Sequence, residues 1–315
     1  MPSLLPAGTG PSSILIVDDM LTNVLLLEAL VKTISDTAPV CFTEPEAALA
    51  WCRKNEPDLV LLDYMMPGLD GIALLKAIRG LPHMSTVPVV LVTGQEDTAA
   101  RYRAFEAGAA DFITKPIDEL ELRVRTRNML KLRANARDLY RLATTDELTG
   151  LANRRSFLAG LEDEATRALR YPGQRVSLAI LDVDHFKRVN DTYGHPIGDA
   201  TLREVSAVCK GLFRKVDLVG RIGGEEFATL LPATVLDDAA LVCDRLRQQV
   251  AETEIRAGET PFRVTISVGI AEFTPGETTA QLLARADHAL YAAKTGGRNR
   301  IALAASETGS LTLGS

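Results

Sequence analysis

The sequence predicts two α/β domains, the first a parallel sheet covered on both faces and the second a mixed α+β unit. Three observations lead there. Across residues 14–114 short apolar runs alternate with amphipathic stretches, the pattern of a strand-helix succession building a parallel sheet. Residues 118–143 contain neither glycine nor proline, which favours one continuous helix. Beyond it, strand and helix patterns recur in a different order, with acids and glycines gathered at strand ends. A chain of 315 residues can hold two domains, each large enough to bury its own core. With 46% apolar and 24% charged residues it is neither disordered nor fibrous. Its net charge of −6 gives no general attraction to polynucleotides, so no DNA partner is expected and any anion site must be local.

In chain order, Ile14-Leu15-Ile16-Val17 reads as the first strand, followed by a helix over 21–34. Val40-Cys41-Phe42, a helix over 45–54, Leu59-Val60-Leu61-Leu62 and a helix near 71–80 come next. Val89-Val90-Leu91-Val92, a helix near 97–107 and Asp111-Phe112-Ile113-Thr114 complete the series. Asp18-Asp19, Asp63 and Thr93 end the first, third and fourth strands, and Lys115-Pro116 follows the fifth. In a parallel sheet these ends share one rim. Clustered acids need a cation to offset their repulsion, and a lysine beside them can pair with an added phosphate. Taken singly, Asp18-Asp19 also reads as a helix-capping turn and Lys115-Pro116 as a rigid bend.

Together with Asp63-x-Met65-Met66-Pro67-Gly68-x-Asp70-Gly71, these positions resemble the receiver domain of response regulators across residues 13–130. The resemblance implies a flavodoxin-like (βα)5 fold with Asp63 as phosphoryl acceptor and a cognate histidine kinase as partner. One Mg²⁺ would be held by Asp18, Asp19, Asp63 and the backbone of Met65. Thr93 and Lys115 would contact the phosphoryl group, and Phe112 would be the aromatic switch.

In the helix over 118–143, Leu122, Met129, Ala136 and Ala143 recur every seven residues, with Leu132 and Leu139 at the complementary offset. That seam suits a parallel two-stranded coiled coil and hence a homodimer. Arg125 at a seam position and a length of only three heptads weigh for the other reading, a helix packed on its own domain, but the dimer is the preferred one. A break near 142–149 starts the second domain, 144–303. Its expected elements are a helix over 154–170, a buried strand from Val176 to Asp182 and a helix over 198–213. A hairpin, a helix near 237–252, a β-branched strand over 262–271 and a helix from Thr279 to Lys294 closed by Gly296-Gly297 follow. The tails 1–12 and 304–315 are expected to be disordered.

The hairpin carries Arg221-Ile222-Gly223-Gly224-Glu225-Glu226-Phe227 between Val216–Val219 and Phe227–Leu231. Gly-Gly suggests a two-residue turn with φ > 0 and a close ligand approach; alone, the heptad also reads as a solvated surface turn. Asp182, ending the buried strand, adds a third carboxylate to Glu225 and Glu226, a hard-oxygen set for Mg²⁺ beside substrate phosphates. This heptad resembles the GGDEF family of diguanylate cyclases across residues 144–303 when joined to two further stretches. They are Asp182-x-Asp184-x-Phe186-Lys187-x-x-Asn190-Asp191-x-x-Gly194-His195-x-x-Gly198-Asp199 and Asp146-x-Leu148-Thr149-Gly150-Leu151-x-Asn153-Arg154-Arg155.

That resemblance implies a palm-like fold and a cyclase that joins two GTP into cyclic di-GMP and two pyrophosphates, acting as a dimer. Asp182, the Val183 carbonyl and Glu225 would bind one Mg²⁺, and Glu226 would take a second or assist deprotonation. Asn190 and Asp199 would bind guanine, Phe186, Lys187, Gly223 and Gly224 would border the substrate, and Lys294 and Arg298 would hold the outer phosphates. Arg214-Lys215-Val216-Asp217 fits the family's RxxD inhibitory motif, with Arg245 as secondary arginine, so product inhibition is expected. A receptor for cyclic di-GMP or GTP without turnover is the alternative.

His185 and His195 lack a cysteine partner and read as structural residues near turns. Trp51 and Met65-Met66 read as packing. Cys41, Cys52, Cys209 and Cys243 lack metal-ligand spacing and fit a reducing compartment. No apolar run approaches the roughly 20 residues of a membrane span. Residues 1–6 lack a basic region followed by an apolar core, so a cytoplasmic protein is expected.

Overall fold

The computed structural model describes residues 10–94, 98–171, 173–258 and 260–305, the side chains of 98–101 excepted. The chain divides into two compact units, Met1–Leu139 and Tyr140–Ser315. In the first, β1 (Ser12–Val17), α1 (Leu21–Lys32), β2 (Thr37–Phe42), α2 (Pro45–Cys52) and β3 (Leu59–Asp63) are followed by α3 (Gly71–Arg79), β4 (Val89–Thr93), α4 (Thr98–Glu106), β5 (Asp111–Thr114) and α5 (Glu119–Thr144). The strands pair in the order β2-β1-β3-β4-β5, every pair parallel. This is the flavodoxin-like order, whose ligands sit at the C-terminal strand ends near the β1/β3 switch point.

Strand alternation assigns the faces. Leu15, Val17, Val60, Leu62, Val89 and Leu91 pack with Ala48 of α2 and Leu74, Leu75 and Ile78 of α3. Their neighbours Ile14, Ile16, Leu59, Leu61, Val90 and Val92 face Leu27 and Val31 of α1 and Leu122 of α5. Trp51 packs near Phe42, their ring centroids 6.2 Å apart.

The seam expected for a coiled coil is divided. Leu122 is buried in this unit's own core and Met129 packs against it, because the first turns of α5 supply the cover that one sheet face needs. Arg125 pairs with Asp111 at 2.7 Å and with Glu121 at 2.8 Å. Arg133, itself buried, bonds Glu56, and Arg137 bonds Asp58. Leu132 and Leu139 remain exposed.

The second unit contains β6 (Ala152–Asn153), α6 (Arg154–Arg170), β7 (Val176–Val183), α7 (Phe186–Tyr193), α8 (His195–Leu212), β8 (Leu218–Arg221) and β9 (Glu226–Pro232). Then come α9 (Leu236–Glu252), β10 (Ile255–Ala257), β11 (Thr260–Phe262), β12 (Ile266–Glu272), α10 (Thr279–Thr295) and β13 (Ile301–Leu303). Among the described residues the main sheet has the order β13-β12-β7-β9-β8-β6. Its centre is antiparallel, β7 pairing with both β12 and β9, whereas β13 and β6 add parallel edges. Leu178, Ile180, Ala228 and Leu230 face α6 and α10. Ala179, Leu181, Val183 and Phe227 face α8 and α9.

Several elements differ from expectation. The helix expected from Gly198 starts at His195, and α7 precedes it. The strand expected over 262–271 is β12 alone, behind the small β10/β11 hairpin. β6 and β13 are too short to leave a periodic pattern. Ser12 already belongs to β1, and Ala304 N–H donates to Ile270 O at 2.7 Å, so the sheets take in the inner ends of both expected tails. Residues 1–9 and 306–315 lie outside the described residues.

Candidate functional site

At the C-terminal rim of the first unit's sheet, Asp18, Asp19 and Asp63 each place a carboxylate oxygen within 4.8 Å of the others. Asp18 and Asp63 are buried. Lys115 reaches both, 2.6 Å from Asp63 Oδ1 and 3.0 Å from Asp18 Oδ2. Met65 N–H donates to Asp63 Oδ2 at 3.1 Å, and Met20 N–H and Asn23 Nδ2 each donate to Asp18 Oδ1 at 2.9 Å. Burial pushes the Asp63 carboxyl above its ordinary range, against the pull of the Lys115 bond. Three hard oxygens converging on one point fit a divalent cation. Thr93 is buried at the end of β4. Phe112 meets Phe105 edge-on at 5.9 Å, with the Arg125 guanidinium 5.8 Å from its ring centre. Gly71 is required here: a Cβ on it would come within 2.2 Å of Asp63 O.

In the second unit, register places Asp182 opposite Glu226. Asp182 lies in β7 among neighbours that face α10, and Lys294 of α10 bonds its Oδ2 at 2.8 Å. Burial pushes the Asp182 carboxyl up, and the Lys294 bond opposes it. Glu225 is raised first by burial and next by the charge of Asp182.

Two expectations need correction here. Neither Gly223 nor Gly224 has positive φ. The turn spans Ile222–Glu225 instead of two residues, closed by Ile222 N–H and Gly223 N–H donating to Glu226 O at 2.9 and 3.2 Å. A Cβ on Gly223 would stand 2.2 Å from Glu226 Oε2, so a side chain there would push that carboxylate aside. Nor do Asp182, Glu225 and Glu226 converge as a trio. Among the described residues only the rim acids Asp18, Asp19 and Asp63 meet that closeness, because Lys294 holds Asp182 while Glu226 lies against Gly223. The donor set still suits Mg²⁺: beyond burial, the charges of Asp182 and Glu226 both push the Glu225 carboxyl up, a repulsion that a divalent cation would relieve.

Beside the turn lies a cleft of about 490 Å³, lined by Phe186, Lys187, Asn190, Asp199, Gly224 and Glu225 among others. It joins the residues expected to bind guanine to the acidic turn. Gly198 makes that possible, because a Cβ on it would stand 1.9 Å from Asn190 Oδ1. Gly198→Ala is expected to turn the Asn190 amide away and raise the KM for a guanine nucleotide about 10- to 100-fold, the effect of losing about 1–3 kcal/mol of hydrogen bonding. Steady-state kinetics read this; an unchanged KM would dissociate Asn190 from base binding.

α10 ends in a Schellman cap, Gly297 at φ 116° with Arg298 N–H donating to Ala293 O at 3.1 Å. The cap places Lys294 and Arg298 at one helix end.

Sequence reasoning missed two fixtures. Arg221 binds Asp146 at 3.2 Å and donates to Gly224 O at 2.7 Å, tying the start of the domain to the turn. Asp184, buried, accepts from Thr265 and Ser267. Both residues sit inside the quoted motifs, which was the available signal. On the inhibitory stretch, Arg214 N–H donates to Asp217 Oδ2 at 2.8 Å, while Asp217 Oδ1 is buried without a hydrogen bond. Burial pushes the Asp217 carboxyl up. Arg214 and Arg245 are exposed. His195 borders the cleft and His185 precedes α7 at φ 58°. The four cysteines are free, and burial pushes the Cys209 and Cys243 thiols up to about 12. Among the described residues no helix is long and apolar enough to cross a membrane.

Comparison with known proteins places both units. The family model described as diguanylate cyclase, GGDEF domain, matches residues 143–300, and that described as response regulator receiver domain matches residues 14–127. The response regulator PleD of Caulobacter vibrioides is 35% identical over 273 residues, covering 84% of this chain and 60% of PleD. The chain therefore spans less than two thirds of that relative. Diguanylate cyclase DgcP of Pseudomonas aeruginosa is 41% identical over 167 residues, covering 53% of this chain and 25% of its own. Among solved structures, the coiled coil and GGDEF domain of DgcB from Caulobacter crescentus in complex with c-di-GMP is 37% identical with a TM-score of 0.54. That likeness covers 59% of this chain and 100% of DgcB's.

Proposed function

The chain belongs to the GGDEF diguanylate cyclase family and carries a response regulator receiver domain ahead of the cyclase domain, and from this premise we propose that it condenses two GTP into cyclic di-GMP and two pyrophosphates under control of Asp63. The observation that carries the reading is that one cleft is lined by Asn190 and Asp199 together with Glu225, while Asp182 pairs in register with Glu226 and bonds Lys294.

Asn190 and Asp199 orient the base, with Asp199 accepting from the guanine N1–H and 2-amino group. Lys294 and Arg298 hold the outer phosphates, Lys294 exchanging Asp182 for a phosphate oxygen. Asp182, the Val183 carbonyl and Glu225 would hold one Mg²⁺ and Glu226 a second, and such ions would supply positive charge to the phosphates. Phosphoryl transfer asks for positioning and charge more than covalent help, and these side chains provide both. The 3′-hydroxyl of one GTP attacks the α-phosphate of another, and Glu226 is placed to assist its deprotonation. One site holds one GTP, so two copies must face each other, an orientation effect worth several kcal/mol. GTP as substrate places the reaction in the cytoplasm.

In the receiver unit, Asp63 accepts the phosphoryl group from a histidine kinase, with Mg²⁺ on Asp18, Asp19, Asp63 and the Met65 backbone. Thr93 and Lys115 then engage the phosphate, and Phe112 responds. Incubating the protein with GTP and Mg²⁺, at several protein concentrations with and without a phosphoryl mimic, tests both halves. Cyclic di-GMP on chromatography, rising per protomer with concentration and responding to the mimic, is expected; binding without product would leave a receptor.

Product inhibition is assigned to Arg214, Asp217 and Arg245. Asp217 Oδ1 has no hydrogen-bond partner and, being buried, would accept from guanine only once the Arg214–Asp217 stretch moves to expose it. Arg214→Ala is expected to relieve inhibition by added cyclic di-GMP while sparing initial turnover; equal inhibition of the variant would refute the assignment.

A further inference from the structure

Asp184 lies one residue beyond β7 and is only 4% exposed. Its carboxylate accepts three hydrogen bonds, from Thr265 Oγ1 at 2.6 Å, Ser267 Oγ at 2.7 Å and Asn299 N–H at 3.0 Å. Thr265 immediately precedes β12 and Ser267 is its second residue. The third lies 115 residues along the chain, in the loop that follows the cap of α10. Such a saturated buried carboxylate is a rigid fixture, here fastening a loop to the centre of the sheet.

That loop is strained as well as fastened. Arg298 and Asn299 have φ of 60° and 45°, a left-handed conformation uncommon for residues other than glycine. It persists because its neighbours determine it. On one side Arg298 N–H closes the cap on Ala293. On the other, Val268 N–H donates to Arg300 O at 2.9 Å as β13 begins. Asn299 is also gripped through its side chain, since Arg247 of α9 donates to Asn299 Oδ1 at 2.9 Å, and Asp244 steadies Arg247 at 2.7 Å. The backbone direction from which the Arg298 side chain departs is thus set by Asp184 beneath Asn299 and Arg247 beside it. The Arg298 charge acts on Asp182, favouring its ionised form, so the arginine lies within electrostatic reach of the candidate metal ligand.

We propose that Asp184 and Arg247 are positioning residues for the nucleotide's outer phosphates, clamping Asn299 from two sides and thereby aiming Arg298. The inference rests on the cyclase reading for its ligand, and neither residue touches that ligand. An asparagine at 184 keeps the shape but removes the charge: its amide nitrogen can still donate to a hydroxyl, whereas Asn299 N–H, which can only donate, keeps at best a neutral and weaker acceptor. The loop is then held less firmly in its left-handed geometry.

The test uses the full chain and two probes that do not depend on turnover. The α,β-methylene analogue of GTP carries all three phosphates and cannot release pyrophosphate; GMP carries the base and one phosphate. Asp184→Asn is expected to weaken the analogue about 10-fold or more, the loss of one charge-assisted phosphate contact, and to leave GMP unchanged. Arg247→Gln and Asn299→Gly, both away from the buried centre, are expected to shift the same ratio in the same direction. They decide the matter if Asp184→Asn does not fold. Parallel weakening of both probes would mean general loosening of the site and overturn the proposal, as would folded variants in which neither probe moves. Turnover of GTP by the unaltered protein is the separate control: its absence would overturn the cyclase reading while the ratio of the two probes still reports on the loop.

Discussion

Asp182→Asn is expected to lower cyclic di-GMP formation about 10²- to 10³-fold while leaving the domain folded. The magnitude is that of removing one preorganised electrostatic group from a site where charge develops on phosphate. Two properties of Asp182 support it. The carboxylate lies at the end of β7 with Glu226 directly opposite, and its only ion-pair partner among the described residues is Lys294, one of the two cations assigned to the phosphates. The amide therefore removes a candidate metal ligand and leaves Lys294 without its resting partner. Folding should survive, because burial already disfavours the ionised carboxylate and an isosteric amide avoids that desolvation. Product formation from GTP, set beside a thermal melt of the same preparation, checks both halves. A folded variant with turnover within a few-fold of the unaltered protein would remove Asp182 from the mechanism.

The largest effect on stability is expected from Gly269→Ala. Gly269 lies in β12, and a Cβ built on it would stand 2.1 Å from Leu290 N and 2.2 Å from Ala286 O. Both are backbone atoms of α10, which cannot rotate aside as a side chain does. Overpacking of this kind costs about 1–3 kcal/mol, at times more, and a domain of this size loses about 2–4 °C of melting temperature per kcal/mol. Gly211→Ala is the matched control. Gly211 is exposed in α8 with no atom within 4 Å of its added Cβ, so alanine should stabilise the helix by up to about 1 kcal/mol. Opposite shifts in the two melts are expected; equal shifts would show that close strand-helix contact is not what position 269 requires. Because α10 also carries Lys294, the first variant should lose turnover too.

Much of this architecture was legible locally. Unbroken apolar runs at Ile14–Val17, Leu59–Leu62 and Val89–Val92 mark strands buried on both faces, and the acids after the first and third declare the rim of the sheet. The same reading fails for α7, whose eight residues FKRVNDTY are mostly polar, and for β6 and β13, too short to show a period. The seven-residue apolar spacing in α5 was seen correctly but serves two masters. Leu122 closes the receiver's core and Leu132 and Leu139 do not, a division that depends on which sheet face lies beneath each turn. Gly223 reads locally as a positive-φ turn residue, whereas it has no positive φ and lies against the Glu226 carboxylate.

Apolar runs, the order of strands and helices and the motif residues by themselves determined two α/β domains and the acids at their strand ends, and the resemblance to receiver domains singled out Asp63 as candidate phosphoacceptor. Tertiary structure alone decided which of those groups meet. Lys294 rests on Asp182, Asp184 reaches Asn299 across 115 residues, and Arg221 joins Asp146 to the Gly224 carbonyl. Such pairings follow from the register of β7 with β9 and β12 and from the path of α10 over them. A slip of one residue in that register would send Asp182 to the opposite face of the sheet, and no local pattern encodes the register to that accuracy.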